Sequence, residues 1–179
     1  RRILAFSAVA NAGYLVLALL VGDPGTHSQA SLSALSFYLV SYAISSALAL
    51  AGLSVLAQPN DQGDELGALR GAARRSPWIG SAVTLGVVSL AGLPPVVGFI
   101  AKFRVLTALV SNGHLVLAAI AMILATVAAV YYLRLALALW QEPAESDDCV
   151  CANPLLSIAL FLGTLSLLVL TFAPGIVAR

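Results

Sequence analysis

The sequence predicts an all-α membrane protein, a bundle of five transmembrane helices of which the third is discontinuous at Pro94-Pro95. Of the 179 residues, 60% are hydrophobic and only 9% are charged, whereas soluble domains carry about a quarter charged residues. The apolar residues form long continuous runs, while a transmembrane β-barrel would show short alternating segments. The formal net charge of +1 indicates no nucleic-acid-binding surface, so we expect the lipid bilayer and no nucleic acid as a partner.

Five apolar runs are long enough to cross a membrane, which takes roughly 20 residues in a helix. They cover approximately residues 3–22, 31–57, 77–110, 114–140 and 152–172, within a single transmembrane domain. The first two runs are uncharged, and the second carries tyrosines and serines that can bond neighbouring helices. Turn signals separate the runs, among them Gly-Asp-Pro-Gly at 22–25 and Ser-Asn-Gly at 111–113.

The distribution of arginine predicts the orientation, because short cytoplasmic loops carry an excess of Lys and Arg. One side of the predicted bundle collects five arginines: Arg1, Arg2, Arg70, Arg74 and Arg75. The other side has few basic residues before the terminal Arg179. We therefore expect a cytoplasmic N-terminus and a C-terminus on the outside.

The third run is too long for one straight span, since the residues from 77 to 110 would extend roughly 51 Å as a helix. Pro94 and Pro95 remove two successive amide donors, and Gly92 and Gly98 relax the backbone around them. The run is therefore expected to break at these prolines.

Lys102 is the only lysine of the chain, and it lies within this same run. An ionisable group inside a span is costly and is by default a candidate for a proton path. A lysine near a helix end can instead extend its ammonium group to the interface. Both interpretations stay open at this point, because the position of the helix break determines how deep Lys102 lies in the membrane. Arg104 could be the interfacial residue, since positions two apart face different sides of a helix.

Three further polar residues are candidates for a relay of protons to or from Lys102, namely Ser7, Asn11 and Tyr131. Such side chains more often hold membrane helices together.

Cys149 and Cys151 lack two of the four ligands of a zinc site and are expected to be free thiols. The sequence has no phosphate-binding glycine loop or nucleophile motif, so we expect no metal, no cofactor and no redox site in this chain.

Three segments carry a resemblance to a known family. Residues 2–14 read RILAFSAVANAGY, which is similar to R-x-L-A-Y-S-S-x-A-H-x-G-Y. Residues 90–103 read LAGLPPVVGFIAKF, similar to L-A-G-I-P-P-x-x-G-F-I-G-K-F, and residues 131–134 read YYLR, similar to Y-Y-Y-L-R. The chain thus resembles, over essentially its whole length, the antiporter-like membrane subunits of NADH-quinone oxidoreductase (respiratory complex I), and subunit N more than its larger relatives.

The resemblance implies a discontinuous helix with Lys102 at mid-membrane depth in a proton half-channel. It also implies that the chain is the C-terminal part, the last five of fourteen helices, of a subunit in the bacterial inner membrane. That subunit would couple quinone reduction to proton movement beside other membrane subunits of the same complex. NADH, FMN, iron-sulfur clusters and quinone would belong to partner subunits.

The sequence departs from the family pattern at Phe6, where tyrosine is usual, and at Asn11, where histidine is usual. Asparagine can orient water but does not titrate near neutral pH, so a relay through Asn11 would lose a proton carrier. Two alternatives remain open at this point: a subunit of a cation/proton antiporter or membrane hydrogenase, and a truncated structural remnant that pumps no protons.

Overall fold

The computed structural model describes residues 2–20, 29–56, 69–142 and 154–172, which form seven helices. They are α1 Arg2–Leu20, α2 Gln29–Leu56, α3 Ala72–Arg75, α4 Pro77–Ala91, α5 Val97–Ser111, α6 Leu115–Trp140 and α7 Pro154–Phe172. No strand occurs in these four ranges, which confirms the all-helical fold class. Cys149, Cys151 and the predicted turn at 22–25 lie outside the described residues.

Among the described residues, three helices are long and apolar enough to cross a membrane on their own: Ser33–Leu56 within α2, Leu115–Trp140 and Pro154–Phe172. Helices α4 and α5 have 15 residues each, about 22 Å of helix, which is less than the hydrocarbon thickness of a bilayer. Together they cover the predicted third span, residues 77–110, and α5 ends one residue beyond it. The chain leaves the helical conformation between Ala91 and Val97, around the two prolines.

Helix α2 contacts α1, α4, α5 and α7, while α6 packs against α4 and α5. Fully buried side chains from α2, α4, α6 and α7 form the core between them: Phe37, Leu56, Val83, Val87, Leu139, Leu160 and Leu167. The outer faces of α6 and α7 expose large apolar side chains such as Leu124 and Phe161. Lipid tails solvate such faces as well as other helices do, so these faces are suited to the membrane interior.

Candidate functional site

The break between α4 and α5 has a specific hydrogen-bond deficit. Helix α4 ends in Gly92, whose φ of 75° and ψ of 40° place it in the left-handed region that glycine enters without steric cost. In a continuous helix the carbonyls of Leu90 and Ala91 would accept from the amides four residues later. Those residues are Pro94 and Pro95, which have no N–H. Two carbonyls at the end of α4 therefore need other donors.

Lys102 supplies the donors. Its Nζ donates to the Leu90 carbonyl at 2.8 Å and to the Ala91 carbonyl at 3.2 Å. The side chain is buried, with 7% of its surface exposed, and it extends from α5 back to the last turn of α4. The lysine thus replaces both amides that the prolines remove.

Two glycines let α5 and its lysine approach α4 this closely. A Cβ built on Gly92 would lie 2.7 Å from Lys102 Cδ, and one built on Gly98 would overlap the backbone carbonyl of Ser89. The four residues predicted to surround the break, Gly92, Pro94, Pro95 and Gly98, accordingly shape the surroundings of Lys102.

Arg104, two residues further along α5, faces a different part of the bundle. Its guanidinium carbon lies 4.5 Å above the ring centroid of Phe37 on α2. Lys102 Nζ lies 5.4 Å from the ring centroid of Tyr14 on α1. The two cations of α5 are thus directed to different neighbours, each over an aromatic ring, a contact that stabilises a cation in an apolar setting.

A series of ring contacts followed by hydrogen bonds leads away from Lys102 along α1. The Tyr14 ring stacks on that of Tyr38, with centroids 5.9 Å apart, and the Tyr38 hydroxyl donates to Asn11 Oδ1 at 2.9 Å. The Asn11 amide nitrogen donates to the Ser7 carbonyl at 2.9 Å and to the Tyr132 hydroxyl at 3.3 Å. The structure therefore brings Ser7 and Asn11, both predicted, into one buried network.

The third predicted relay residue, Tyr131, is not part of this network. It is 54% exposed, whereas Tyr132 is 4% exposed and forms a hydrogen bond with the Ser7 hydroxyl. Successive residues of a helix point about 100° apart. The inward stripe of α6 could have been found from its spacing, because Ala118, Ala121 and Tyr132 follow the helical period whereas Tyr131 does not.

A small cavity, with several polar residues in its lining, borders Lys102 between α1, α2, α4 and α5. Its volume is about 10 Å³, and Asn11, Tyr38, Ser45, Ser89 and Lys102 are among its lining residues. The hydroxyls of Ser45 and Ser89 form a hydrogen bond of 2.7 Å across the α2–α4 contact. This volume is close to the smallest that holds one water molecule, and the polar lining provides bonding partners for it.

A larger groove of about 850 Å³ reaches Lys102 from the other side, between α1 and α6. Its lining is mainly apolar, with Leu117, Ile120 and Leu124 on α6, and Asn11 and Lys102 border it as well. Lys102 and Asn11 therefore line both the small cavity and the wide apolar groove.

Residues 1–128 match the family described as NADH:quinone oxidoreductase/Mrp antiporter, TM. NADH-quinone oxidoreductase subunit N of Acidithiobacillus ferrooxidans is 31% identical over 176 residues, covering 98% of this chain and 36% of that protein. Subunit N 2 of Acidobacterium capsulatum is 37% identical over 185 residues, covering 100% of this chain and 36% of that protein. The chain thus spans little more than a third of the length of these relatives.

Two solved structures share the arrangement of helices. A chain of respiratory complex I from Thermus thermophilus with bound aureothin matches with a TM-score of 0.80 and 34% identity, covering 99% of this chain and 39% of that chain. A chain of the Mrp complex from Dietzia sp. DQ12-45-1b matches with a TM-score of 0.81 and 18% identity, covering 98% and 40%. The second likeness concerns the fold alone.

Proposed function

Because this chain belongs to the NADH:quinone oxidoreductase/Mrp antiporter transmembrane family, we propose that it forms part of a proton-translocating membrane subunit of an NADH:quinone oxidoreductase. The named relatives are subunit N of such enzymes. Five of fourteen helices is a little over a third, which agrees with the share of these relatives that the chain covers. In this proposal α4 and α5 together form one discontinuous span, the third of five in the C-terminal part of the subunit.

The proton carrier in this proposal is Lys102, and its bonds to Leu90 and Ala91 are the observation that supports it. A protonated lysine has three N–H groups and a neutral amine has two. Two are engaged by the carbonyls at the helix break, so these bonds can form in either charge state. The third position on the nitrogen is the one that gains and loses a proton, and it can exchange with the small cavity that Lys102 borders.

One water molecule in the small cavity would connect Lys102 to the hydroxyls of Tyr38, Ser45 and Ser89, since the cavity is close to the size of one water. On the other branch, Asn11 joins Tyr38 to Ser7 and Tyr132. An amide does not take up or release protons near neutral pH. Asn11 therefore orients the hydroxyls around it, and proton exchange proceeds on the side of the small cavity.

The oxidation chemistry belongs to other subunits in this proposal. NADH, FMN, iron-sulfur clusters and quinone would be bound there, and this chain would respond through proton exchange at Lys102. Its partners are other membrane subunits of the same complex and the lipid bilayer. The subunit would lie in a bacterial inner membrane with the arginine-rich end of the bundle in the cytoplasm, the side on which positive loops accumulate.

Two substitutions at Lys102 separate proton exchange from the support of the broken helix. Lys102→Arg keeps several donors for the carbonyls but cannot lose its charge, whereas Lys102→Met removes the donors. In the intact complex we expect both variants to lose most NADH-driven acidification of inverted membrane vesicles, followed with a pH-sensitive dye. Only Lys102→Met should lower the amount and thermal stability of the complex, because it leaves two buried carbonyls unpaired. Wild-type pumping by Lys102→Arg would refute the proposal.

Cation/proton exchange is a second candidate, favoured by the family description and by the likeness in fold to the Mrp complex. Vesicles that contain the intact complex distinguish the two functions. If the chain belongs to an oxidoreductase, NADH drives acidification and an imposed sodium gradient does not. Sodium-driven proton movement without NADH, abolished by Lys102→Arg, would favour the antiporter.

A further inference from the structure

Three arginines lie together at one end of the bundle, around the short helix α3. They are Arg70, Arg74 and Arg75. Helix α3 contacts both α4 and α6. It is attached to the last turn of α6 by two bonds: the Gly71 amide donates to the Ala138 carbonyl at 3.2 Å, and Arg74 Nε donates to the Trp140 carbonyl at 3.0 Å. The short helix is therefore held at a defined corner between α4 and α6, with Arg70 just before it.

One donor at this corner has no acceptor. Arg75 Nε is buried, and within the described residues it is the one buried side-chain nitrogen or oxygen without a hydrogen-bond partner. The acidic side chain available in these ranges is Glu142, and it forms no ion pair with the arginines. A guanidinium remains charged under all ordinary conditions, and buried polar groups nearly always have partners. Arg75 Nε itself is covered by the protein, but Arg70 and Arg74 are exposed and Arg75 is half-buried, so the corner presents positive charge to an anion that is not part of these elements.

Two tryptophans place the corner at the depth of the lipid headgroups. Trp78 is the second residue of α4, close to α3 in the chain, and is 48% exposed. The centroid of its ring lies 5.9 Å from that of Phe161. Trp140 is 39% exposed and donates from Nε1 to Thr84 Oγ1 at 2.9 Å. Partly exposed tryptophans are typical of the membrane–water interface, and the bonded indole N–H of Trp140 is a further feature of residues at that depth.

We propose that this corner binds the phosphate group of an anionic phospholipid. Guanidinium groups match phosphate oxygens in geometry as well as charge, and basic groups beside membrane helices attract anionic lipids. The exposed apolar residues Leu137 and Leu133 of α6, one and two turns before Trp140, offer a surface for the acyl chains. The proposal does not depend on proton translocation.

The test uses the full-length subunit in its complex, with lipids removed by detergent and then titrated with phosphatidylglycerol or phosphatidylcholine, and bound lipid counted by native mass spectrometry. The informative variant is Arg70→Gln with Arg75→Gln, which leaves the bond between Arg74 and Trp140 in place. The control, Arg104→Gln, removes a positive charge on α5 that lies over Phe37 of α2, away from this corner. We expect the first variant to bind phosphatidylglycerol at least tenfold more weakly, with phosphatidylcholine unchanged and the control like the wild type.

Three outcomes would overturn the proposal. The first is equal phosphatidylglycerol binding by both variants and the wild type. The second is displacement of all bound phosphatidylglycerol by millimolar inorganic phosphate, which would make this a site for free anions. The third is no binding to the wild type but binding to the Asp61→Asn, Asp64→Asn, Glu65→Gln variant, which would show that carboxylates of this chain occupy the corner.

Discussion

Replacing Gly92 by alanine would place a methyl group against the Lys102 side chain while leaving the lysine itself unchanged. A Cβ at this position would lie 2.7 Å from Lys102 Cδ and 3.2 Å from Nζ. Carbon atoms in contact normally stand about 3.5–4.0 Å apart. The lysine stem would therefore have to move by about 1 Å, which would disturb its bonds to the carbonyls of Leu90 and Ala91.

The magnitude has two parts. A residue with a Cβ in the left-handed region costs about 1–2 kcal/mol, and weakening the hydrogen bonds of a charged donor costs about 1.5–3 kcal/mol for each bond lost. A displacement of about 1 Å in a reacting group can slow a reaction about 100-fold. We expect Gly92→Ala to lower the rate of NADH-driven proton pumping between tenfold and 100-fold.

Gly113→Ala is the matched control, because Gly113 also has a positive φ, 82°, and a Cβ there would meet nothing within 4 Å. It carries the same backbone cost of about 1–2 kcal/mol without touching Lys102. Pumping is measured in inverted vesicles and divided by the amount of assembled complex. If the two alanine variants pumped equally, the position of the Lys102 amine would not matter, and the reasoning from the helix break would be wrong.

Two further pairs of variants test the surroundings of Lys102. Ser45→Val should fill the small cavity and reduce NADH-driven proton pumping severalfold. Ser54→Val, on the exposed side of the same helix, should leave pumping unchanged. Unchanged pumping in vesicles of Ser45→Val would rule out a role for the cavity. Tyr132→Phe should lower the free energy of unfolding by about 1 kcal/mol, because it removes the hydroxyl that bonds Ser7. Tyr131→Phe should leave the free energy of unfolding unchanged in the same thermal melts. Equal losses of stability in the two variants would contradict the assigned register of α6.

The sequence was sufficient to predict the helical class and to single out the residues around the break, since proline acts locally on the backbone. The partners of Lys102 could not be predicted in this way. They depend on how α5 packs back against α4, which is set by the close approach at Gly98. Tyr132 was missed because two adjacent tyrosines cannot be told apart by residue type. The small residues of α6 nevertheless mark the helix face that points inward.

Helix α3 also went unpredicted, because four residues with two arginines show no helical pattern of apolar positions. It forms where the chain crosses the end of the bundle, and donors in and just before it bond two carbonyls in the last turn of α6, where the helix leaves carbonyls free to accept. Such a helix results from tertiary contacts, and local propensity gives little sign of it.

The bonds from Lys102 to Leu90 and Ala91 also have a mechanical consequence. They tie the beginning of α5 to the end of α4 across a stretch in which the backbone is not helical. A sideways force on one half is therefore transmitted to the other through the lysine side chain. Since hydrogen bonds weaken steeply with distance and angle, a small shear between the halves would change the electrostatic potential at the lysine nitrogen, and movement of neighbouring helices would be converted into a change in its affinity for a proton.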